Sequence, residues 1–262
     1  ATNKWKRPIY FATTVGNSLY MNLEDYFQLE GLAYKVVPVK SQNNSFGSEG
    51  RVNSDILYEK LMNEFKWGGL DTNPDKIYLD ENNRRFIMNF KSSFKALAEQ
   101  LVKEGKYEKA EKVLNKCTGI FTNDLSPYGY YDVLLADLYF KINKAEKGTA
   151  ILKSAAENYQ EELNYYCSLD DKYLEGMQDD VGRLGALYQE VLKKLYANKQ
   201  SKLANTYTLQ AYSMLEDRFA FNSTLAGLPE RASQERWYSN LPDYKMGLFQ
   251  FNMFLGQHIS NR

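Results

Sequence analysis

Seven carboxylates, Glu161, Glu162, Asp170, Asp171, Glu175, Asp179 and Asp180, form the densest acidic group in the chain. Paired carboxylates can hydrolyse a glycosidic bond, and clustered carboxylate oxygens can hold a hard cation. A calcium loop, however, needs ligands at fixed offsets and a Gly at its sharp turn, and no DxDxDG order occurs here. The pattern predicts a solvated helix face and loop instead. Cys117 and Cys167 match no metal or redox spacing and read as small buried side chains, with a disulfide left open. His258 has no second imidazole to complete a zinc site. No GxSxG turn accompanies a nucleophile, and no GxGxxG or GxxxxGK[ST] loop is present to hold phosphate. These residues predict no catalytic constellation, no cofactor and no metal. The 21 Tyr, 14 Phe and 3 Trp could stack on sugar or peptide ligands, but much of that set falls at core-facing helical positions.

The elements that would position such groups fall into two parts. Residues 8–15 and 34–39 are rich in β-branched and aromatic residues and predict a two-stranded sheet. Between them Leu23, Tyr26, Phe27 and residues 29–32 recur at helical spacing after Asn22, a candidate N-cap, with Gly31 as the stop. The polar stretch 41–50 predicts a mobile loop. Helix resumes at Ser54 or Asp55, with Ile56, Leu57, Lys60, Leu61 and Phe65 on one side, and closes at Trp67, Gly68 and Gly69. From Asp80 onward the pattern is helical. The expected organisation is therefore a small α+β unit over residues 1–79 and a mainly α helical domain over residues 80–262.

Within the second part a spacing repeats. Phe94, Leu97, Ala98 and Leu101 are followed, after a turn at Gly105 and Lys106, by Tyr107, Ala110, Leu114 and Cys117. This resembles the tetratricopeptide helix pair, in which small residues, here Ala98 and Ala110, meet where the helices cross. A second copy starts near Tyr130, with Leu135, Ala136 and Tyr139, then Gly148, Thr149, Leu152 and Ala155. A looser third pair spans 181–197 and 201–219, and helices from about Ser233 and over 244–258 are expected to cover the open end of the stack. In tetratricopeptide stacks the first helix of each pair lines the concave face. Carried over, those positions are Lys95, Glu99, Lys103, Tyr130, Val133, Asp137 and Lys141, the expected partner-binding residues.

WKRPIYFATTVG over residues 5–16, LEDYFQLEGLAYKVVPVK over 23–40 and GRVNSDILYEKLMNEFKWGGL over 50–70 form a more specific pattern. They resemble the segment that follows the last membrane span in a bacterial family of large polytopic membrane proteins of unknown function. That family is related to the protein O-mannosyltransferases of the GT-C glycosyltransferase class, and a helix-repeat tail follows the segment. The likeness is strong up to about Asn123 and looser beyond. It implies a non-catalytic accessory domain on the periplasmic face of the inner membrane, because the residues of sugar transfer lie upstream. Implied partners are protein or peptide segments, the upstream membrane domain of the same polypeptide, and, as an alternative, a glycan or acceptor chain that would contribute specificity. The start at Ala1, without a leader, reads as a processed product or an excised domain.

Composition narrows the remaining classes. With 44% hydrophobic and 25% charged residues, the 262-residue chain has material for a packed core. Its 33 basic and 33 acidic residues cancel, so no field of one sign recruits nucleic acid or an anionic membrane surface. No apolar stretch approaches the roughly 18 residues of a membrane span. Asn43 in NNS and Asn222 in NST fit the glycosylation sequon, which in a bacterial chain is ordinarily coincidence.

Overall fold

A computed structural model describes residues 6–41, 50–73, 76–228 and 230–260. The chain divides into two compact units: Ala1–Pro127 with Leu134–Gly148, and Tyr128–Val133 with Thr149–Arg262. The boundary expected between residues 79 and 80 falls inside the first unit. The predicted mobile loop, apart from its end residues, and the Asn43 sequon lie outside the described residues.

The first unit opens with a sheet of four strands: β1 (Tyr10–Ala12), β2 (Phe27–Leu29), β3 (Ala33–Val36) and β4 (Arg51–Val52), in the order β1-β3-β2-β4. The expected pairing of the two aromatic segments is present, since β1 runs antiparallel to β3 with Phe11 opposite Tyr34. The two other strands were not expected. The helix predicted over 23–32 is a single 3-10 turn, Glu24–Tyr26, followed by β2, and Asn22 has φ 58° instead of an N-cap conformation. Tertiary burial decides this. Phe27, Gln28 and Leu29 are 0%, 3% and 3% exposed, because β2 lies between β3 and the parallel β4 and is covered on both faces. Gly31 makes the β2–β3 hairpin. Its φ of +79°, with Leu32 outside the positive-φ set, is the pattern of a turn that demands Gly at its first central position. A Cβ there would also lie 2.4 Å from Phe65 Cζ. At Gly50, φ +84°, a Cβ would lie 2.4 Å from the Phe27 carbonyl oxygen, so β4 can approach β2 only through glycine.

One face of the sheet is aromatic. Tyr20 reaches back from the β1–β2 connection so that its ring centroid lies 5.8, 5.0 and 6.2 Å from those of Phe11, Phe27 and Tyr34. Helix α1 (Ser54–Glu59) starts from Asn53, whose Oδ1 accepts from Ile56 N, and runs on as a wider π turn over Lys60–Glu64. Gly68 and Gly69, at φ 62° and 96°, then release the chain, as their sequence predicts. Trp67 is 6% exposed and sits among Phe65, Phe90, Phe94 and Phe121, with centroids 5.3–6.0 Å away. Burial of side chains of this size contributes about 1.5–3 kcal/mol each.

Two helices follow, α2 (Glu81–Lys103), capped by Asp80, and α3 (Tyr107–Ile120). Ala98 and Ala110 are both fully buried where these helices pack. Ser93 Oγ donates to the Gly31 carbonyl at 2.8 Å, joining α2 to the β2–β3 turn. Helices α4 (Tyr130–Lys141) and α5 (Ala145–Ser168) come next. A Cβ at Gly148 would lie 2.9 Å from Ala136 O and 2.8 Å from a Phe140 ring carbon. Ala136 and Gly148 are separated by twelve residues, as Ala98 and Ala110 are, so both hairpins cross on small residues at the same spacing.

The second unit contains the rest of α5, then α6 (Asp171–Leu174), α7 (Gln178–Ala197), α8 (Ser201–Phe219), α9 (Phe221–Ala226), α10 (Arg231–Ser239) and α11 (Asp243–Ser260). Helix α11 was expected to cover an open end. It packs on both α7 and α8 and buries Leu248, Phe251, Asn252 and Leu255. Small residues permit the α7–α11 crossing: a Cβ at Gly247 would lie 3.2 Å from Gly182 Cα, and one at Gly185 3.3 Å from Phe251 Cβ. No helix among the described residues is long and apolar enough to cross a membrane.

Candidate functional site

The seven residues expected on a concave face fall in both units. In the first, Lys95 and Glu99 form an i,i+4 ion pair at 2.8 Å with side chains only 19% and 31% exposed, and Lys103 is exposed one turn further along α2. Asp137 and Lys141 form a second such pair at 2.9 Å on α4. Pairing of this kind on a helix surface is worth about 0.3–0.5 kcal/mol and leaves the cation able to exchange partners. In the second unit Tyr130 is half exposed, with its ring against Tyr131. Val133 is 1% exposed and belongs to the core, so it presents no surface to a partner. The periodicity that selects a helix face places it correctly on α4, but packing against that face was not visible from spacing.

Three of the seven carboxylates, Glu162, Asp171 and Asp180, are engaged in structural contacts. Asp171 accepts from Arg218 at 2.6 Å and pairs with Lys245 at 2.7 Å, so α8 and α11 are both tied to α6. The Lys245 ammonium holds the Asp171 carboxyl below the usual carboxylate range, and Arg218 adds to this against partial burial. Asp180 pairs with Arg183, and Glu162 accepts from the Tyr166 hydroxyl, which burial and then the Glu162 charge push up to about 12. Among the described residues no group of three or more His, Cys, Asp or Glu could hold a metal ion. Neither cysteine is in a disulfide. Burial pushes the Cys167 thiol up to about 11, so it is protonated at neutral pH and a poor nucleophile. His258 stacks on Tyr196, lies tilted against the Phe254 ring and bonds the Phe254 carbonyl through Nδ1. Asn222 donates its Nδ2 to the Tyr212 hydroxyl and to Glu216, contacts that a glycan on that nitrogen would disturb.

Two open clefts in the first unit were not anticipated. One, of about 350 Å³, is lined by residues 51–55 with Glu104 and Lys106. Glu104 Oε2 accepts from Ser54 Oγ at 2.7 Å and pairs with Lys106 Nζ at 2.7 Å, while Oε1 accepts from Gln100. Partial burial opposes ionisation of Glu104, but Lys106, Gln100 and Ser54 outweigh it and hold its carboxyl down at about 2. These polar groups satisfy one another and join the start of α1 to the end of α2. The second cleft, of about 340 Å³, is lined by Ile77, Tyr78, Leu79, Arg84, Thr122, Asp124 and Leu125. Tyr78 is 85% exposed, and Arg84, Thr122 and Asp124 line the same cleft. An exposed ring with polar groups on its rim can stack on a sugar face or an extended peptide while hydrogen-bonding its edge. Tyr78 lies in an irregular segment without periodicity, and Asp124 is 46 residues away, so spacing could not have paired them.

The family model described as TMEM260-associated domain 2 matches residues 1–56, the stretch that carries all four strands and reaches the start of α1. No curated protein matches the chain, and no solved structure does.

Proposed function

We propose that this chain is a non-catalytic accessory region of a membrane-embedded protein of the TMEM260-like, mannosyltransferase-related class. It stands on the periplasmic face and engages protein or peptide segments, among them the membrane part of the same polypeptide. The match of residues 1–56 to a TMEM260-associated domain carries this reading. The two helix hairpins support the tetratricopeptide-like part of it. They cross at Ala98/Ala110 and at Ala136/Gly148 with equal spacing, and such hairpins offer broad surface and little enclosure. A second reading, a glycan- or acceptor-binding domain, is favoured by the Tyr78 cleft, whose lining includes that exposed ring, Asp124 and Arg84.

An antibody against the chain tests the first reading in intact cells and in cells with a permeabilised outer membrane. The expected antigen is membrane-bound, much larger than 262 residues, and cut by protease only after permeabilisation. A soluble cytoplasmic antigen of about this length would overturn the reading. The second reading predicts that Tyr78→Ala weakens retention on immobilised acceptor glycan by on the order of tenfold while the folded signal stays unchanged.

A further inference from the structure

Three consecutive residues that line the Tyr78 cleft, Ile77, Tyr78 and Leu79, form no backbone hydrogen bond among the described residues. They belong to no helix, strand or turn, yet half-buried Ile77 and Leu79 alternate with exposed Tyr78 and Asp80. Asp80 ends the run in an extended conformation, φ −70° and ψ 174°, where it caps α2. Alternation with period two is that of a strand whose inward positions are Ile77 and Leu79. Backbone N–H and C=O groups are obligatory hydrogen-bonding groups, and a strand-like run without a neighbour is a template for another extended chain.

The rest of the cleft carries charge. Its lining includes Arg84 from α2 and Thr122 and Asp124 from the α3–α4 connection. Thr122 is engaged, its Oγ1 accepting from Leu125 N and its carbonyl from Ser126 N. Arg85, next to Arg84, is paired with Glu81. Arg84 and Asp124 form no ion pair or side-chain hydrogen bond among the described residues, whether with each other or with another group. The cleft therefore offers one uncommitted charge of each sign beside an uncommitted length of backbone. A neutral sugar answers neither charge and brings no row of amides and carbonyls. An extended polypeptide brings that row and can bring side chains of both signs.

We propose that residues 77–79 receive an extended segment of a partner protein as an added strand, with an acidic side chain of that segment meeting Arg84 and a basic one meeting Asp124. The inference rests on the acceptor-binding reading above for the use of this cleft, and deepens it by making the ligand a polypeptide.

Fluorescence anisotropy of the purified 262-residue chain with labelled, capped nine-residue peptides tests it. The probes are threonine-rich peptides carrying one lysine and one glutamate, two or four residues apart. At least one should bind, and exchanging its lysine or its glutamate for glutamine should weaken binding about two- to fivefold, as for a surface ion pair. Arg84→Gln should remove the preference for glutamate and Asp124→Asn that for lysine; both positions are exposed, so neither variant threatens the fold. N-methylation of successive peptide amides should weaken binding on the order of tenfold at alternate residues, because alternate N–H groups of an added strand face its neighbour. Binding without that alternation, charge preferences unchanged in the variants, or no binding by either probe overturns the proposal. Retention on immobilised glycan without peptide binding also overturns it while leaving the glycan form of the earlier reading in place, whereas peptide binding without glycan retention supports it.

Discussion

The first unit enters the left-handed region mostly at glycines, Gly31, Gly50, Gly68, Gly69 and Gly105, with Met21, Asn22 and Asn143 beside them, whereas the described residues of the second unit adopt that region at Lys199 and Ala220. In the sheet unit, Phe65 and the Phe27 backbone approach so closely that a Cβ has no room at Gly31 or Gly50. In the helical unit the bend is held by side chains. Glu216 accepts from the Asn222 and Ser223 amides at the start of α9 and from the buried Asn252 of α11, across the left-handed Ala220. One unit thus relies on backbone fit and the other on side-chain networks and aromatic packing, so they should fail to different substitutions.

Phe251→Ala should cost most. The ring is 2% exposed against Tyr188 on the α7–α11 seam, and removing it leaves a cavity worth about 3–5 kcal/mol. Urea unfolding followed by hydrogen exchange should show the loss in α7, α8 and α11 with the sheet protected; uniform loss would merge the two units into one cooperative body. Gly50→Ala is the converse test. Left-handed strain plus the contact with the Phe27 oxygen should cost about 3 kcal/mol and expose β2 and β4 first. Ala220→Gly should stabilise the second unit by about 0.5–1 kcal/mol, since relief of left-handed strain exceeds the added freedom of the unfolded chain. A drop in melting temperature would mean the Ala220 methyl packs usefully.

The smallest effect concerns pH. The Glu104 carboxyl lies near 2 in the folded chain against a usual value of 4.5. Its ionised form therefore adds stability that is fully present above about pH 4.5 and is lost as pH falls toward 2. Solvent screens this partly exposed group, so Glu104→Gln should cost less than about 1 kcal/mol at pH 7 and flatten the acid limb of the melting profile. An unchanged acid limb would remove Glu104 from the links between α1 and α2.

Much of the helical part was readable from local pattern. The pair predicted over 181–197 and 201–219 is α7 and α8, displaced by three residues at one end, because apolar spacing and the turn after Ala197 act within a few residues. The strand character of the two aromatic segments was readable for the same reason, although their pairing joins Phe11 to Tyr34 across 23 residues. Phe27, Gln28 and Leu29 were misread as helix because a run this short fits either period, and the neighbour that makes it a strand, β4, is more than twenty residues away. Of the candidate site, the ion-paired residues Lys95, Glu99, Asp137 and Lys141 were reachable through helix spacing, while the Tyr78 cleft was not, since it joins an irregular segment to the α3–α4 connection.

By itself, then, the amino-acid order determined a mainly α chain with balanced charge, an aromatic sheet at the front and hairpins crossing at Ala98 and Ala110, because periodicity, turn residues and side-chain volume are local quantities. The tertiary structure alone decided that β2 is a central strand, that Val133 is buried, that α11 is core, and that Leu19 and Met21 stand outward beside a buried Tyr20. Each of these depends on which distant segment removes a side chain from water, and burial is a property of the assembled fold.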